Sequence, residues 1–199
     1  MKRIFDIILS CIIIIIMSPI CIIVVLAILI FQGMPIFFKQ DRLGKNHLPF
    51  KVIKFCTMTR MRDQEGELLP DIDRTTRLGN FLRNTSIDEI PSLWNVLKGE
   101  MNVVGPRPLK LSYLERYSPE QDRRHEVKPG ITGWAQVNGR NTITWEERFK
   151  LDVWYVDHQS FQLDYKILLL TIFVVLLRKD INSSGEDTMQ EFLGNDNNS

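Results

Sequence analysis

The chain divides into a long apolar stretch near its N-terminal end and a polar remainder of mixed periodicity. From Ile7 to Phe38 the sequence contains no Asp, Glu, Lys or Arg. This stretch is longer than the roughly 20 apolar residues that a spanning helix requires. No small-x-small cleavage site follows it, so a cleaved signal peptide is not expected. The pattern predicts a membrane segment over residues 1–34 that anchors one globular domain.

Two features bear on the course of this membrane segment. Ser18-Pro19 lies near its middle, and proline removes a helix hydrogen bond and kinks the chain. Both flanks are basic, with Lys2 and Arg3 before the segment and seven basic residues after it against one acid, Asp41. The seven are Lys39, Arg42, Lys45, Lys51, Lys54, Arg60 and Arg62. Positive charge marks the cytoplasmic side, so a re-entrant helix-break-helix and a kinked spanning helix both stay open.

The remainder predicts a helix-dominated α+β domain over residues 35–185. Short β-rich runs at 35–40 and 50–55 flank a turn-prone segment, which predicts a small antiparallel hairpin. Residues 62–76 are polar and predict a mobile loop. The acidic segment 186–199 is also rich in Gly and Asn, and it predicts a flexible tail.

Helix signals fill most of the domain. Helical patterns occur at 77–83 and 87–98, and Ser118 and Thr144 each open a capping-box signature. The helix that follows Thr144 is expected to run to about Asp157. A second apolar run, 167–177, is too short to cross a bilayer. It predicts either a core helix or a helix that lies in the membrane interface.

Composition narrows the class of protein only slightly. The chain has 199 residues, a mean hydropathy of −0.08 and a formal net charge of +1. These averages exclude a disordered, collagen-like or polytopic membrane protein. The three cysteines have no regular spacing, so they support neither a disulfide framework nor a zinc site and favour a reducing compartment.

The strongest candidate for chemistry is the adjacent pair Asp88-Glu89. One interpretation is helix capping, with Ser86 as the N-cap and Glu89 as its capping-box partner. Pro91 weakens this interpretation, because it would be the fifth helical residue, where its ring clashes with a carbonyl one turn back. In the second interpretation, Asp88 and Glu89 occupy a tight turn ahead of the helix. There one carboxylate could hold Mg²⁺ while the other reaches a substrate.

Two further segments are candidates for binding. VVGPRP, residues 103–108, holds Arg107 on a stiff backbone that suits bidentate contact with phosphate or carboxylate. The loop GITGWAQVNGRN, residues 130–141, contains Arg140 and several glycines that let the backbone approach a ligand. Taken alone, either segment is equally compatible with a structural turn.

Together these motifs resemble the bacterial sugar transferase family, the monotopic phosphoglycosyl transferases. Five stretches carry the resemblance, which covers essentially the whole chain. They are the apolar segment broken at Ser18-Pro19, KFCTM (54–58), DRTTRLGNFLRNTSIDEIPSLWNVLKGEM (73–101), VVGPRP (103–108) and KPGITGWAQVNGRN (128–141). The length resembles the small form of the family.

The resemblance implies transfer of a sugar 1-phosphate from a UDP-sugar to undecaprenyl phosphate, with release of UMP. Asp88 is then the nucleophile that forms a phosphoryl-aspartate, and Glu89 helps Asp88 to bind the required Mg²⁺. The expected substrate-binding residues are Lys54, Arg83, Arg107 and Arg140. The family's membrane segment is re-entrant, which favours a hairpin broken at Ser18 and Pro19.

The resemblance also implies a cellular setting. The catalytic domain is expected on the cytoplasmic face of the bacterial inner membrane, in contact with its lipids, where it begins assembly of a surface glycan. No nucleic-acid partner is expected, and a homo-oligomer, the sugar and the glycan pathway stay open. Two alternatives remain: a glycosyltransferase that moves the sugar without its phosphate, and a non-catalytic anchored scaffold.

Overall fold

The computed structural model describes residues 1–139, 143–176 and 191–194, which form a helix-dominated fold with two small sheets. In chain order the elements are α1 (Lys2–Phe31), β1 (Phe37–Leu43), β2 (Pro49–Phe55), α2 (Asp71–Arg74), α3 (Arg77–Asn84), α4 (Leu93–Lys98), β3 (Asn102–Val104), α5 (Pro119–Asp122), β4 (Gly130–Thr132), α6 (Trp134–Asn138), α7 (Trp145–Asp157) and α8 (Phe161–Leu176). Short 3₁₀ turns occupy Lys45–His47, Ile87–Ser92, Leu111–Arg116 and Arg123–Glu126.

The apolar segment forms one continuous helix, α1, rather than two helices separated by a break. Pro19 lies inside it and has no N–H to donate to the carbonyl of Ile15, four residues earlier. The hydroxyl of Ser18 donates to that carbonyl at 2.8 Å, so the freed acceptor is satisfied and helical hydrogen bonding continues. Within the described part of the chain, α1 is the one helix long and apolar enough to cross a membrane. The predicted separation into two helices is therefore not seen, and re-entry stays a prediction.

The N-terminal end of α1 is tied to the globular domain by polar contacts. Lys2 Nζ donates to the carbonyl of Val104 at 3.2 Å and also contacts the carboxylate of Asp164. Arg3 donates to the carbonyls of Val96 and Leu97 at the end of α4. Lys2 and Arg3 thus attach the start of α1 to the domain.

The C-terminal half of α1 packs against the same domain through apolar contacts. Val24 and Ile28 are buried against Phe55 of β2 and Leu82 of α3. The outward face of α1 remains uncovered, and Ile15 is 70% exposed. α1 therefore contacts the domain near both ends and presents an apolar surface between them.

The predicted hairpin is confirmed as β1 and β2, which pair antiparallel with Phe37 opposite Phe55. The outer edge of β2 is covered by side chains from the segment around α4. Asn95, which is fully buried, accepts from the amide of Ile53 at 3.1 Å and donates to the carbonyl of Lys51 at 2.8 Å. Ser92 donates to the carbonyl of Ile53 at 2.8 Å. These bonds fix the chain just after Asp88-Glu89 against β2.

A second, two-stranded sheet joins two of the matched motifs. β3 and β4 are parallel, so VVGPRP and GITG lie side by side. Gly105 and Gly130 approach so closely that a Cβ on Gly130 would lie 2.1 Å from the amide nitrogen of Gly105. The largest core cluster contains Phe50, Val52, Val96, Met101, Val103, Val104, Tyr155 and Ile167.

The remaining elements agree with the sequence pattern in most places. Ser118 and Thr144 both form capping boxes, and α7 ends at Asp157 as predicted. The predicted loop at 62–76 contains the short helix α2. α8 covers most of the second apolar run, with Ile167 buried and an exposed outer face.

Glu191 and Phe192 of the predicted tail contact the domain. Phe192 is 2% exposed and packs among Tyr113, Trp145 and Phe149. Glu191 forms an ion pair with Arg116 at 3.1 Å. The flexibility of the tail and the domain boundaries stay predictions.

Candidate active site

Asp88 and Glu89 lie in the 3₁₀ turn Ile87–Ser92, directly ahead of α4. Ser86 has a left-handed backbone, with φ of 55°, and its side chain makes no capping hydrogen bond. The side chain of Glu89 turns away from it toward Lys54 and Arg107. The capping-box interpretation is therefore wrong here, and the interpretation of a tight turn before the helix is confirmed. Pro91 is accommodated because α4 begins only at Leu93.

Glu89 is held by two cations that come from separate motifs. Lys54, on β2, lies 2.5 Å from its carboxylate oxygen, and Arg107, in the Pro-Arg-Pro turn, lies 2.8 Å from the same oxygen. Asp88 is 8% exposed and sits 4.0 Å from Lys54. Within the described ranges, the carboxylate of Asp88 accepts no hydrogen bond. The two neighbouring acids thus have different surroundings.

These surroundings move the two pKa values in opposite directions. Burial, reinforced by the charge of Glu89, raises the pKa of Asp88 to about 6 against the opposing pull of Lys54, Arg107 and Arg83. Burial also acts to raise the pKa of Glu89, but Arg107 and Lys54 outweigh it and hold that pKa well below its usual range. A pair of carboxyls with separated pKa values is the pattern expected when two acids perform two tasks.

Arg107 is positioned from behind by a buried ion pair. Arg124 contacts Asp152 at 2.7 Å, and both side chains are 2% exposed. Arg124 also donates to the carbonyl of Arg107 at 2.8 Å, so it fixes the backbone of the Pro-Arg-Pro turn. Breaking a buried pair of this kind is costly, because it strands one charge.

The other predicted site residues have mixed outcomes. Arg83, at the end of α3, donates to the hydroxyl of Thr57 at 3.0 Å and is close enough to lower the pKa of Asp88. Lys54, Arg83 and Arg107 are thus gathered around the acid pair. Arg140 lies outside the described residues.

A model of the bacterial sugar transferase family matches residues 1–178. The chain belongs to the bacterial sugar transferase family. An uncharacterized sugar transferase of Bacillus subtilis (strain 168), EpsL, is 50% identical over 194 residues, covering 98% of this chain and 96% of that protein. The UDP-glucose:undecaprenyl-phosphate glucose-1-phosphate transferase of Klebsiella pneumoniae is 42% identical over 189 residues, covering 89% of this chain.

Relatives in this family differ in length and in the sugar that they are named for. The galactosyl transferase CpsE of Streptococcus agalactiae serotype III (strain NEM316) is 44% identical over 160 residues, covering 73% of this chain. This chain spans 40% of the Klebsiella protein and 36% of CpsE. The similarity thus supports membership of the family. It does not indicate the sugar, because the relatives include enzymes named for glucose and for galactose.

Sequence reasoning missed the position of Arg42 in this member of the sugar transferase family. Arg42 lines the same cleft as Lys54, Glu89 and Arg107, an open space of about 330 Å³. Burial, together with the positive charge of Arg107, lowers the pKa of Arg42 to about 10. In the sequence, Arg42 was counted only as one of the seven basic residues that follow the apolar stretch. The alternation along β1, which turns neighbouring side chains to opposite faces, was the signal that could have separated it.

Another buried arginine lies close enough to interact electrostatically with Arg107. Arg148 of α7 is 8% exposed, and its guanidinium lies 5.1 Å from the ring centre of Trp145. Burial and the charge of Arg107 lower the pKa of Arg148 to about 10. Several cations therefore surround two carboxylates, a balance that suits an anionic ligand.

The separated pKa values predict opposite stability changes for two variants. The folded pKa of Asp88 is raised from its ordinary 3.8, so ionisation of this carboxyl opposes folding, fully so above about pH 6. In the absence of ligands, Asp88→Asn is expected to raise the free energy of unfolding at pH 7.5 by about 1 to 3 kcal/mol. The gain should vanish as the pH falls below about 4, where the carboxyl of Asp88 is protonated in both the folded and the unfolded wild-type protein.

Glu89→Gln is the matched control, because the pKa of Glu89 is lowered and its charged form stabilises the fold at neutral pH. It should lower the free energy of unfolding at pH 7.5. Thermal unfolding of the purified protein in detergent measures both changes. A loss of stability in Asp88→Asn at pH 7.5 would contradict the raised pKa of Asp88.

Proposed function

We propose that this protein transfers a sugar 1-phosphate from a UDP-sugar to undecaprenyl phosphate, giving the polyprenyl diphosphate sugar and UMP. The observation that carries the proposal is the unequal pair, in which Glu89 is ion-paired to Lys54 and Arg107 while Asp88 accepts no hydrogen bond from the described residues. Relatives named as undecaprenyl-phosphate glucose or galactose phosphotransferases support the same general reaction.

The first step uses Asp88 as the nucleophile. A carboxylate oxygen of Asp88 attacks the sugar-linked phosphorus of the UDP-sugar, and the bond from that phosphorus to the bridging oxygen breaks. UMP leaves with the electron pair of that bond, and a phosphoryl-aspartate that carries the sugar remains. Covalent catalysis of this kind divides one difficult displacement into two easier ones. The raised pKa of Asp88 reflects a desolvated carboxylate, whose charge is relieved when it forms the new bond.

The second step returns the enzyme to its starting state. A phosphate oxygen of the lipid attacks the phosphorus of the phosphoryl-aspartate, and the bond to Asp88 breaks to restore the carboxylate. Lys54, Arg42 and Arg107, which line the cleft, stabilise the phosphate charges in both steps. Arg107 offers a planar fork that can contact two phosphate oxygens at once.

The acid pair also fits the Mg²⁺ ion that the family resemblance implies. Carboxylate oxygens are the ligands that Mg²⁺ prefers, and it is commonly held by one or two of them together with substrate phosphates. Asp88 and Glu89 would hold the ion, and it would supply neutralisation of the pyrophosphate charge. Glu89 already binds Lys54 and Arg107, so substrate oxygens are expected to complete the coordination.

The released nucleotide distinguishes this proposal from its rivals. Incubation with undecaprenyl phosphate and a panel that includes UDP-glucose and UDP-galactose is expected to release UMP with at least one donor. Asp88→Asn is the control and should release none. Release of UDP would indicate a glycosyltransferase that moves the sugar alone, and equal turnover by Asp88→Asn would remove Asp88 from the chemistry.

We also propose that α1 enters one leaflet and does not cross the membrane, with the domain on the cytoplasmic face. Contacts of Lys2 and Arg3 at one end, and of Val24 and Ile28 at the other, support this topology. A spanning helix has its ends on opposite sides of the bilayer, so it cannot pack against one domain at both ends. The exposed isoleucines between them supply the apolar face for lipid.

Cysteine labelling in spheroplasts tests this topology. After Cys11, Cys21 and Cys56 are replaced by serine, one cysteine is added ahead of Met1, with Leu48→Cys in the exposed hairpin turn as the control. Both cysteines are expected to react with an impermeant maleimide only after permeabilisation. Labelling of the N-terminal cysteine in intact spheroplasts, with Leu48→Cys protected, would mean that α1 spans the membrane.

A further inference from the structure

A second group of ligand-type side chains lies apart from the residues that line the active-site cleft. It consists of His47, in the turn between β1 and β2, together with Asp122 at the end of α5 and His125 in the next turn. His47 Nε2 lies 2.8 Å and 3.0 Å from the two carboxylate oxygens of Asp122. His125 Nδ1 lies 3.0 Å from the nearer of these oxygens. One carboxylate is thus met by two imidazoles from separate parts of the chain.

The three side chains contact one another, and His125 has further contacts: its Nδ1 lies 3.1 Å from the backbone carbonyl of Asp122, and its ring packs against Tyr117. His125 is 5% exposed, and its second nitrogen, Nε2, has no hydrogen-bond partner among the described residues. The contacts with Asp122 are therefore the polar contacts that orient this ring. His47 reaches Asp122 from the turn between β1 and β2. In this turn Asn46 and His47 both adopt left-handed backbone conformations, with φ of 51° and 62°.

We propose that His47, Asp122 and His125 form a binding site for a Zn²⁺-type ion. Zn²⁺ is held by His nitrogen and Asp oxygen at about 2.0 to 2.2 Å in tetrahedral geometry, which places ligand atoms roughly 3.3 Å apart. The candidate ligand atoms here all lie within 4.8 Å of one another. Small side-chain shifts would admit an ion, with each imidazole neutral and its proton on the ring nitrogen that faces away from the ion. Water would take the fourth position.

The donor set separates this site from the acid pair of the active site. Imidazole nitrogen suits zinc and other late transition metals, whereas Mg²⁺ prefers oxygen ligands. Asp88 and Glu89 offer only oxygen and stand beside Lys54 and Arg107. The two sites are therefore expected to select different ions, and the zinc proposal does not depend on the proposed reaction.

The position of the site means that a bound ion would link two segments of the chain. It would join the hairpin turn to the segment 119–126, which contains Arg124 next to His125. Arg124 in turn holds the backbone of Arg107 at the active site. A bound ion would thus fix the support of Arg107 from outside the cleft.

Calorimetric titration with Zn²⁺ tests the proposal on the full-length chain in detergent, stripped with chelator and kept in excess Mg²⁺. The wild-type protein is expected to bind one Zn²⁺. His47→Ala is expected to weaken binding by at least about tenfold, because it removes a ligand. His158→Ala is the matched control, since this third histidine contacts the carbonyl of Trp154 on its own helix, and it should bind like the wild type.

His47 is suited to this test because 41% of its side chain is exposed, so its removal is not expected to unfold the protein. Thermal unfolding without Zn²⁺ checks this point, and Asp122→Asn provides a second variant that preserves side-chain size. Absence of zinc binding in the wild type would overturn the proposal. Equal affinity in the wild type and in both variants would overturn it as well. Neither result would affect the release of UMP.

Discussion

The double ion pair of Glu89 is the interaction on which the site depends. It joins Lys54 of the hairpin, the acid turn before α4 and Arg107 of the Pro-Arg-Pro turn, three segments far apart in sequence. Because Glu89 takes both cations, Asp88 is left buried beside a negative neighbour and with a raised pKa. Neighbouring hydrogen bonds hold the members of this ion pair in place. Asn95 and Ser92 fix the acid turn to β2, and Arg124 fixes Arg107.

The second constraint is the position of the site relative to lipid. A reaction between a soluble nucleotide sugar and a lipid phosphate requires a catalytic cleft at the membrane surface. α1 is attached to the domain by charged residues at its start and by apolar residues in its second half, with a lipid-compatible face outward. Its proline is tolerated because Ser18 replaces the missing donor to the carbonyl of Ile15. The anchor and the catalytic domain therefore form one folded unit.

Local signals in the sequence predicted local structure well. Two capping signatures, one that forms and one that does not, show the limit of such prediction. At Ser118 the following proline is the first helical residue, so the capping box forms. After Ser86 the proline would be the fifth residue of the helix. Ser86 instead has a left-handed backbone conformation, and a 3₁₀ turn follows it. The residues themselves pointed to Asp88, Glu89 and Arg107 as candidates, and the family resemblance added Lys54 and the role of each residue. Arg42 and the buried Phe192 were missed because their partners are distant in the chain, although the alternation along β1 was a usable signal for Arg42.

The mass of the intact protein after incubation with a UDP-sugar, without lipid acceptor, is the sharpest test of Asp88 as the nucleophile. If the unequal environments of the two adjacent acids give Asp88 this role, the wild-type chain gains the mass of one sugar phosphate, peptide mapping places it on Asp88, and Asp88→Asn gains nothing. An adduct that persists in Asp88→Asn, or one that maps to Glu89, would show that Asp88 is not the nucleophile.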